Sequence, residues 1–517
     1  MNLNPIRLAC TAALAGLLLP ASAQEAIKPT ETKAPEVKID PAPVSRQAGV
    51  ITTFAPVVEK VAPSVVQIST SKNIKPGSRA GDNGRNRLFE DPMFRRFFGL
   101  PDPDEEGDDT PTPPPSRRKG REGGSTKKEA LGLGSGVVVS AEGHILTNNH
   151  VIEGADDILV TFYGDKHDYK AKKIATDPDT DLAVLKLETK PSHLTPVTFG
   201  DSDKLRVGDF AIAVGNPFGL TQTVTLGIVS SLGRNDMGIV SYENFIQTDA
   251  SINPGNSGGA LVDIEGRLIG INTAIYSRTG TNAGIGFAVP ANLAHSIMDS
   301  LLTKGRVVRG YLGVAIQALD ETLASRFKMK DTDGTLVSSV VPKGPADAAG
   351  LEAGDVITEL NGKRISGPSE LRMTVSSMLP GTKVAVQYLR DGQAKKAEIV
   401  LAELPGKKGA STPLEQPDNT EPDVLDGVTV GDIDAEARKK YDIAEDAKGV
   451  VVLEIDDQSS CFEAGLRVGD VIHEIEKQSV KSANDAVTLS EKLKKEKQVL
   501  LRISTKGVTR FLVVKEN

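Results

Sequence analysis

Asn253-Pro-Gly-Asn-Ser257-Gly-Gly-Ala260 sets a serine hydroxyl on a tight, glycine-rich turn between two apolar segments. A serine is a poor nucleophile at neutral pH. It becomes a good one only beside a base, with hydrogen-bond donors aimed at the oxyanion it creates. Gly255 and Gly258 have no Cβ, so the backbone can turn sharply there and present bare N–H groups. Such a turn alone is equally well an ordinary loop, and the residues upstream of it decide.

His150 closes the apolar run Gly143-His-Ile-Leu-Thr-Asn-Asn-His150-Val-Ile152. Asp181 opens the strand-like Asp181-Leu-Ala-Val-Leu-Lys-Leu187. The order His150, Asp181, Ser257 is that of chymotrypsin, and it differs from the subtilisin and α/β-hydrolase orders. In that scheme Ser257 Oγ attacks the scissile carbonyl. His150 takes the proton through Nε2 and returns it to the leaving amine, while Asp181 fixes the imidazole tautomer. The backbone N–H groups of Gly255 and Ser257 form the oxyanion hole. Asp177 and Asp179 compete for the orienting role, and Asp181 is favoured because it touches the strand start. His144, in a turn-like Glu-Gly-His, reads as surface.

Thr147-Asn-Asn-His150-Val, Asp181-Leu-Ala, Gly215-Asn-Pro-Phe-Gly219 and Gly255-Asn-Ser-Gly-Gly259 together resemble the HtrA (Do-like) serine proteases of the chymotrypsin clan. The similarity runs from about Thr52 to Lys304 and continues into the C-terminal half. It implies a mainly β protein, with two six-stranded barrels and the triad in the cleft between them. In the clan the residue six positions before the nucleophile lies at the base of the specificity pocket. That residue is Ser251, not an acid, so cleavage after Lys or Arg is not expected. By resemblance Ile252, Ile275 and Tyr276 line the pocket, which should be apolar and shallow and select small or medium aliphatic residues. Those residues are mostly buried in folded proteins, so such a pocket favours unfolded chains.

The chain has 517 residues and a formal net charge of −8, with charges of both signs widely spread. That argues against nucleic acid, which needs a clustered basic face. The length is too great for one core and fits three or four domains. Residues 1–23 read as a secretory signal: Arg7, an apolar Leu8–Leu19 stretch, then Ala21-Ser-Ala23. The competing reading, a short membrane anchor, is weakened by the length of the apolar run. The signal implies export to the periplasm or, alternatively, secretion. Cys10 and Cys461 are the two cysteines. Cleavage would leave Cys461 without an internal partner, as a small buried residue. No nucleotide-binding or metal-ligand spacing is present, so no cofactor or metal is expected.

Residues 24–50 read as a disordered leader and 51–305 as the protease domain. Within it, 71–129 is an insertion carrying the cluster Phe89, Phe94, Phe97 and Phe98. It is either a local hydrophobic patch or, by resemblance, a regulatory loop that reaches another protomer. Phe54 lies in the segment that in the family helps to build a homotrimer. Gly132-Leu-Gly-Ser-Gly136 reads as a β-turn into a strand. A loop from Leu220 to Asp236 is read as mobile and able to hold the oxyanion hole collapsed, which keeps open a chaperone-like or peptide-sensing protein with a resting protease fold.

Ala349-Gly-Leu-Glu-Ala-Gly-Asp-Val-Ile357 recurs as Ala464-Gly-Leu-Arg-Val-Gly-Asp-Val-Ile472. These are two tandem domains, 306–404 and 423–517, joined by the Pro- and charge-rich linker 405–422. They resemble PDZ domains, which bind an extended C-terminal peptide as an added strand. Tyr311, Leu312, Gly313 and Val314 are the implied peptide-binding residues of the first. The second is left open between peptide binding and assembly, because Asp426 would stand near an incoming carboxylate. The implied partners are unfolded proteins, C-terminal peptides at the first repeat, and a homotrimer or larger homo-oligomer, with no stable membrane span.

Overall fold

The computed structural model describes residues 35–42, 52–74, 127–165, 167–216, 222–235, 237–276, 283–405, 425, 427–445, 447–493 and 496–515. The signal segment, the phenylalanine cluster, the interdomain linker after residue 405 and Asp426 lie outside them.

The first barrel closes from six antiparallel strands in the order Val65–Ile74, Lys127–Val138, His144–Asn148, Leu182–Leu187, Asp168–Asp177, Asp157–Thr161. Val65 pairs with Val137 and Ile74 with Lys127, so the insertion leaves from the far end of one long hairpin. Gly132–Gly136 lies inside a strand and is not a turn. Its glycines answer to packing: a Cβ at Gly134 would stand 2.7 Å from Val151 Cγ1, and one at Gly136 2.7 Å from Ile145 Cγ2.

The second barrel is Phe210–Gly215, Thr223–Arg234, Phe245–Thr248, Gly286–Pro290, Arg267–Ile275 and Ala260–Val262, closed by the pairing of Arg267–Ile275 with Gly286–Pro290. Thr223–Arg234 is a strand paired on both sides, so most of the stretch read as a mobile loop is sheet. Its glycines suggest a loop from sequence alone. Gly227 is instead where the strand passes close to Ala250, whose N would be 2.2 Å from a Cβ.

One apolar cluster spans both barrels. Val65, Val137, Leu146 and Leu182 of the first meet Ile212, Val214, Phe245 and Leu268 of the second. The helix Ala291–Lys304 adds Ala294, Ile297, Met298 and Leu301 to it, and ends on Gly305 at φ +69°. Each of the larger side chains, the Val, Leu, Ile, Phe and Met residues, contributes roughly 1.5–3 kcal/mol on burial. The cleft between the barrels is therefore held by a shared core.

Residues 35–42, within the leader read as disordered, are docked. Lys38–Ile39 pairs in parallel with Thr198–Phe199, and Arg267 donates to the Ala42 carbonyl at 2.8 Å. The composition gave no sign of this, because the anchoring arginine lies more than two hundred residues downstream.

The two C-terminal domains repeat one sheet. Val314–Gln317, Thr335–Val340, Val356–Leu360, Lys383–Arg390 and Gln393–Val400 correspond in order to Val428–Asp432, Val450–Ile455, Val471–Ile475, Gln498–Thr505 and Val508–Lys515. Each sheet packs a helix, Pro368–Ser376 or Ala483–Leu493. Cys461 is fully buried in the core of the second. The domains also share a seam. Leu323, Phe327 and Leu336 of the first pack on Leu500 and Phe511 of the second, with the Phe327 and Phe511 rings 5.2 Å apart edge to face. Gln317 bonds both the N–H and the C=O of Phe511.

Candidate active site

The short helix Asn149–Ile152 begins where the strand His144–Asn148 ends, and burial of Val151 and Ile152 turns the chain there. Asp181 precedes a strand whose residues are buried apart from Lys186, and it sits at φ +57°, a left-handed conformation that aspartate tolerates better than most residues. Its carboxylate holds His150 twice: Oδ2 lies 2.7 Å from Nδ1, and Oδ1 accepts from the backbone N–H at 2.9 Å. This double contact leaves Nε2 as the nitrogen directed away from the acid. Asn148 Nδ2 donates to the Asp181 carbonyl at 2.9 Å and to Thr273 Oγ1 at 3.1 Å, crossing from one barrel to the other.

Asp177 and Asp179 face elsewhere. Arg309 meets Asp177 at 2.5 Å and Asp179 at 4.0 Å, and its guanidinium lies 4.4 Å from the centre of the Tyr242 ring. The structure brings Asp181 alone of the three acids to the imidazole.

Ser257 and Asn256 are buried on a turn of the second barrel, between Phe245–Thr248 and Ala260–Val262. Gly255 and Gly258 have φ of +99° and +81°. A Cβ on Gly258 would stand 2.1 Å from the Ser135 carbonyl oxygen, so only glycine fits. Among the described residues, the N–H groups of Gly255 and Ser257 donate to no backbone carbonyl. The Ser257 hydroxyl donates to the Thr273 carbonyl at 3.2 Å, so its hydrogen is not committed to the imidazole in this conformation.

Sequence reasoning missed Ser135. Its N–H donates to the Ser257 carbonyl at 2.8 Å, its Oγ donates to the Gly255 carbonyl at 2.6 Å, and the same Oγ accepts from the Asn216 N–H at 2.8 Å. Only its place in a glycine-rich strand hinted at a close backbone approach. His144 departs from the surface reading. It is half-buried, with Nδ1 2.7 Å from Ser140 Oγ and Nε2 3.3 Å from Lys186 Nζ.

Of the four pocket residues, Ile252 and Ile275 share one buried cluster with Ala250 and Leu261. Ser251 is half-buried, with its carbonyl accepting from Thr225 Oγ1. Tyr276, just past the end of the strand Arg267–Ile275, is 52% exposed. Tyr311, Leu312, Gly313 and Val314 come together along a groove of about 320 Å³ that also includes Ile316, Leu371 and Arg372. Tyr242 of the protease domain lines the same groove.

Two barrels with this histidine–aspartate pair and serine turn between them, followed by two such sheets, are the layout of a chymotrypsin-type serine endopeptidase with PDZ domains. The trypsin-like peptidase domain family matches residues 134–271, and the PDZ domain family matches 310–401 and 426–515. The chain is 39% identical over 473 residues to a probable periplasmic serine endoprotease DegP-like from Chlamydia muridarum, covering 90% of this chain and 88% of the relative. It is 38% identical over 525 residues to the Brucella suis protein of the same name, covering 98% and 96%. A probable periplasmic serine protease do/HhoA-like from Haemophilus influenzae is 42% identical over 440 residues, covering 84% and 86%. Among solved structures, the HtrA-type protease AlgW with decapeptide aligns with TM-score 0.53 and 42% identity, over 69% of this chain and all of that one. The chain belongs to the DegP-like (HtrA-type) family of serine endoproteases. No helix among the described residues is long and apolar enough to cross a membrane.

Proposed function

We propose that this serine endoprotease works without ATP on unfolded or misfolded exported proteins, cleaving after small or medium aliphatic residues. Ser257 is the nucleophile, His150 the general base and then acid, Asp181 the orienter, and the N–H groups of Gly255 and Ser257 the oxyanion hole. The observation that carries the reading is the double grip of Asp181 on His150. It favours the Nδ1–H tautomer and leaves Nε2 as the basic nitrogen, which is what a base in acyl transfer needs. The preference rests on the resemblance that sets Ser251, not an acid, at the base of the specificity pocket; Ile252 and Ile275 themselves lie buried in one apolar cluster. The names of the relatives support a periplasmic location, with secretion as the alternative. The groove at Tyr311–Val314 supports C-terminal peptide binding that regulates turnover. Phe54, whose ring packs on the part-exposed Phe210 at 5.7 Å, is the residue through which a homotrimer would form.

Replacing Ser257 by Ala should reduce turnover of unfolded casein by ~10⁶. Undiminished cleavage by the purified variant removes the nucleophile assignment.

A second reading, a chaperone-like or peptide-sensing state with the protease at rest, is favoured by the Ser257 hydroxyl donating to Thr273 rather than waiting on the imidazole. Casein turnover with and without a saturating C-terminal peptide separates the two. Activation by the peptide supports a resting state, and equal rates oppose it.

A further inference from the structure

Arg372 stands on the wall of the first PDZ groove, and its placement can be read from two rulers, a helix and a strand. Leu371 and Val375 of the helix Pro368–Ser376 are buried in the domain core. Arg372 and Ser376, one residue further round, line the groove opposite the strand Val314–Gln317. That strand pairs with Thr335–Val340 on one side, and among the described residues its other edge is unpaired.

The helix C-terminus is the end beside the loop. A Cβ at Gly310 would stand 2.6 Å from the Val375 carbonyl oxygen and 2.8 Å from that of Met378. The Leu312 and Gly313 N–H groups in that loop donate to no backbone carbonyl among the described residues, as a carboxylate cradle requires. A peptide added to the free edge therefore has its terminus at the Val375–Ser376 end. Arg372 is about one helical turn back, roughly 4.5–6 Å along the axis. Two strand residues span roughly 6.6 Å, and residues two apart share a face. The side chain that meets Arg372 is thus the one two positions before the C-terminus.

Around it the groove is mostly apolar, with Leu312, Val314 and Ile316. Arg372 is exposed. It makes a long hydrogen bond, 3.4 Å, to the neutral Ser241 carbonyl, and no carboxylate among the described residues forms an ion pair with it. Asp177 and Asp179 face Arg309 instead, and Glu243, which lines a small pocket together with Arg372, accepts from the Met237, Ile239 and Val240 N–H groups. An acidic ligand side chain would supply the counter-charge that the fold leaves out. The second groove has different chemistry in the same place. It is lined by Ala486, Val487, Ser490 and Glu491, each 115 positions after its counterpart, so Val487 replaces Arg372 and Glu491 replaces Ser376.

We propose that Arg372 makes the first PDZ groove select C-terminal peptides bearing Asp or Glu two residues before the terminus, a selectivity that the second groove lacks. This rests on the peptide-binding reading given above.

The test uses the full chain with Ser257→Ala and three fluorescein-labelled decapeptides that end in Ser-Glu-Ala-Val, Ser-Gln-Ala-Val or Ser-Lys-Ala-Val. Fluorescence anisotropy should rank them Glu over Gln over Lys, with about 5- to 20-fold between Glu and Lys, shrinking as salt rises. Arg372→Gln should abolish the ranking, and Arg372→Glu should reverse it. Placing Arg at the second groove by Val487→Arg should add a second site for the Glu peptide. Equal binding of all three peptides, or a ranking that survives Arg372→Gln, overturns the selectivity while leaving peptide binding intact. Binding of none overturns the groove reading itself.

Discussion

Ser135, on the first barrel, donates its hydroxyl to the carbonyl of Gly255, on the second, at 2.6 Å. Its own N–H meets the Ser257 carbonyl. The turn carrying Ser257 is therefore clamped from across the cleft at both residues that would supply the proposed oxyanion hole. Replacing Ser135 by Ala keeps the N–H bond but leaves the Gly255 carbonyl and the Asn216 N–H without their buried partner. The expected cost is about 1–3 kcal/mol of stability. Turnover should fall as well, by roughly 10- to 100-fold, because a small misplacement of the donors weakens transition-state binding. Melting temperature and kcat measured together check this, and an unchanged kcat contradicts it.

Asp181 and Asp177 lie four residues apart and should fail in opposite ways. Asp181→Asn keeps the shape but loses the acceptor that fixes the imidazole tautomer, so turnover should drop by ~10⁴ with little change in melting temperature. Asp177→Asn strips a close acid from the buried Arg309, with an expected loss of roughly 3–5 kcal/mol. Fluorophosphonate labelling below the melting point should persist in that variant. Thermal melts and labelling rates on both variants separate the roles, and equal kinetic losses contradict them.

The pairing of His150 with Asp181 and the repeat were legible because each is carried by short local motifs. The 115-residue offset reappears strand by strand, from Thr335–Val340 and Val450–Ile455 onward. What was illegible depends on distant partners. Ser135 and Asn148 gain their roles only when the barrels meet. Residues 35–42 read as unstructured because Arg267, their anchor, is far away in sequence. The 220–236 stretch was misread because Gly227 and Gly233 pointed to a loop, while Gly227 answers to close backbone contact with Ala250.

His144 gives a pH dependence of known sign. Burial, then the neighbouring Lys186 ammonium, hold its imidazole down to about 4. The folded chain thus favours the neutral ring, while the unfolded chain takes up a proton near the ordinary value of about 6.5. Its stabilising contribution is complete above about 6.5 and is lost as pH falls toward about 4. Urea unfolding of the parent and of His144→Gln at pH 7.5, 5.5 and 4.5 should show their difference shrinking with acid. A pH-independent difference contradicts the assignment.

Phe327 and Phe511 join the two PDZ domains through a buried edge-to-face contact, with Lys477 reaching Asp391 at 2.7 Å and Arg326 paired to Glu476 beside it. Phe327→Ala should cost roughly 3–5 kcal/mol. Calorimetry should then show the second PDZ domain melting apart from the first, where the parent melts them together. Separate transitions in the parent contradict the shared seam.

The central claim is that His150, held by Asp181, activates the Ser257 hydroxyl. The most direct measurement is mass-spectrometric mapping of a fluorophosphonate adduct on the full chain, in the presence of a C-terminal peptide. The account predicts a single adduct on Ser257, lost in both His150→Ala and Ser257→Ala. An adduct on another residue, or undiminished labelling of Ser257 without the imidazole, contradicts it.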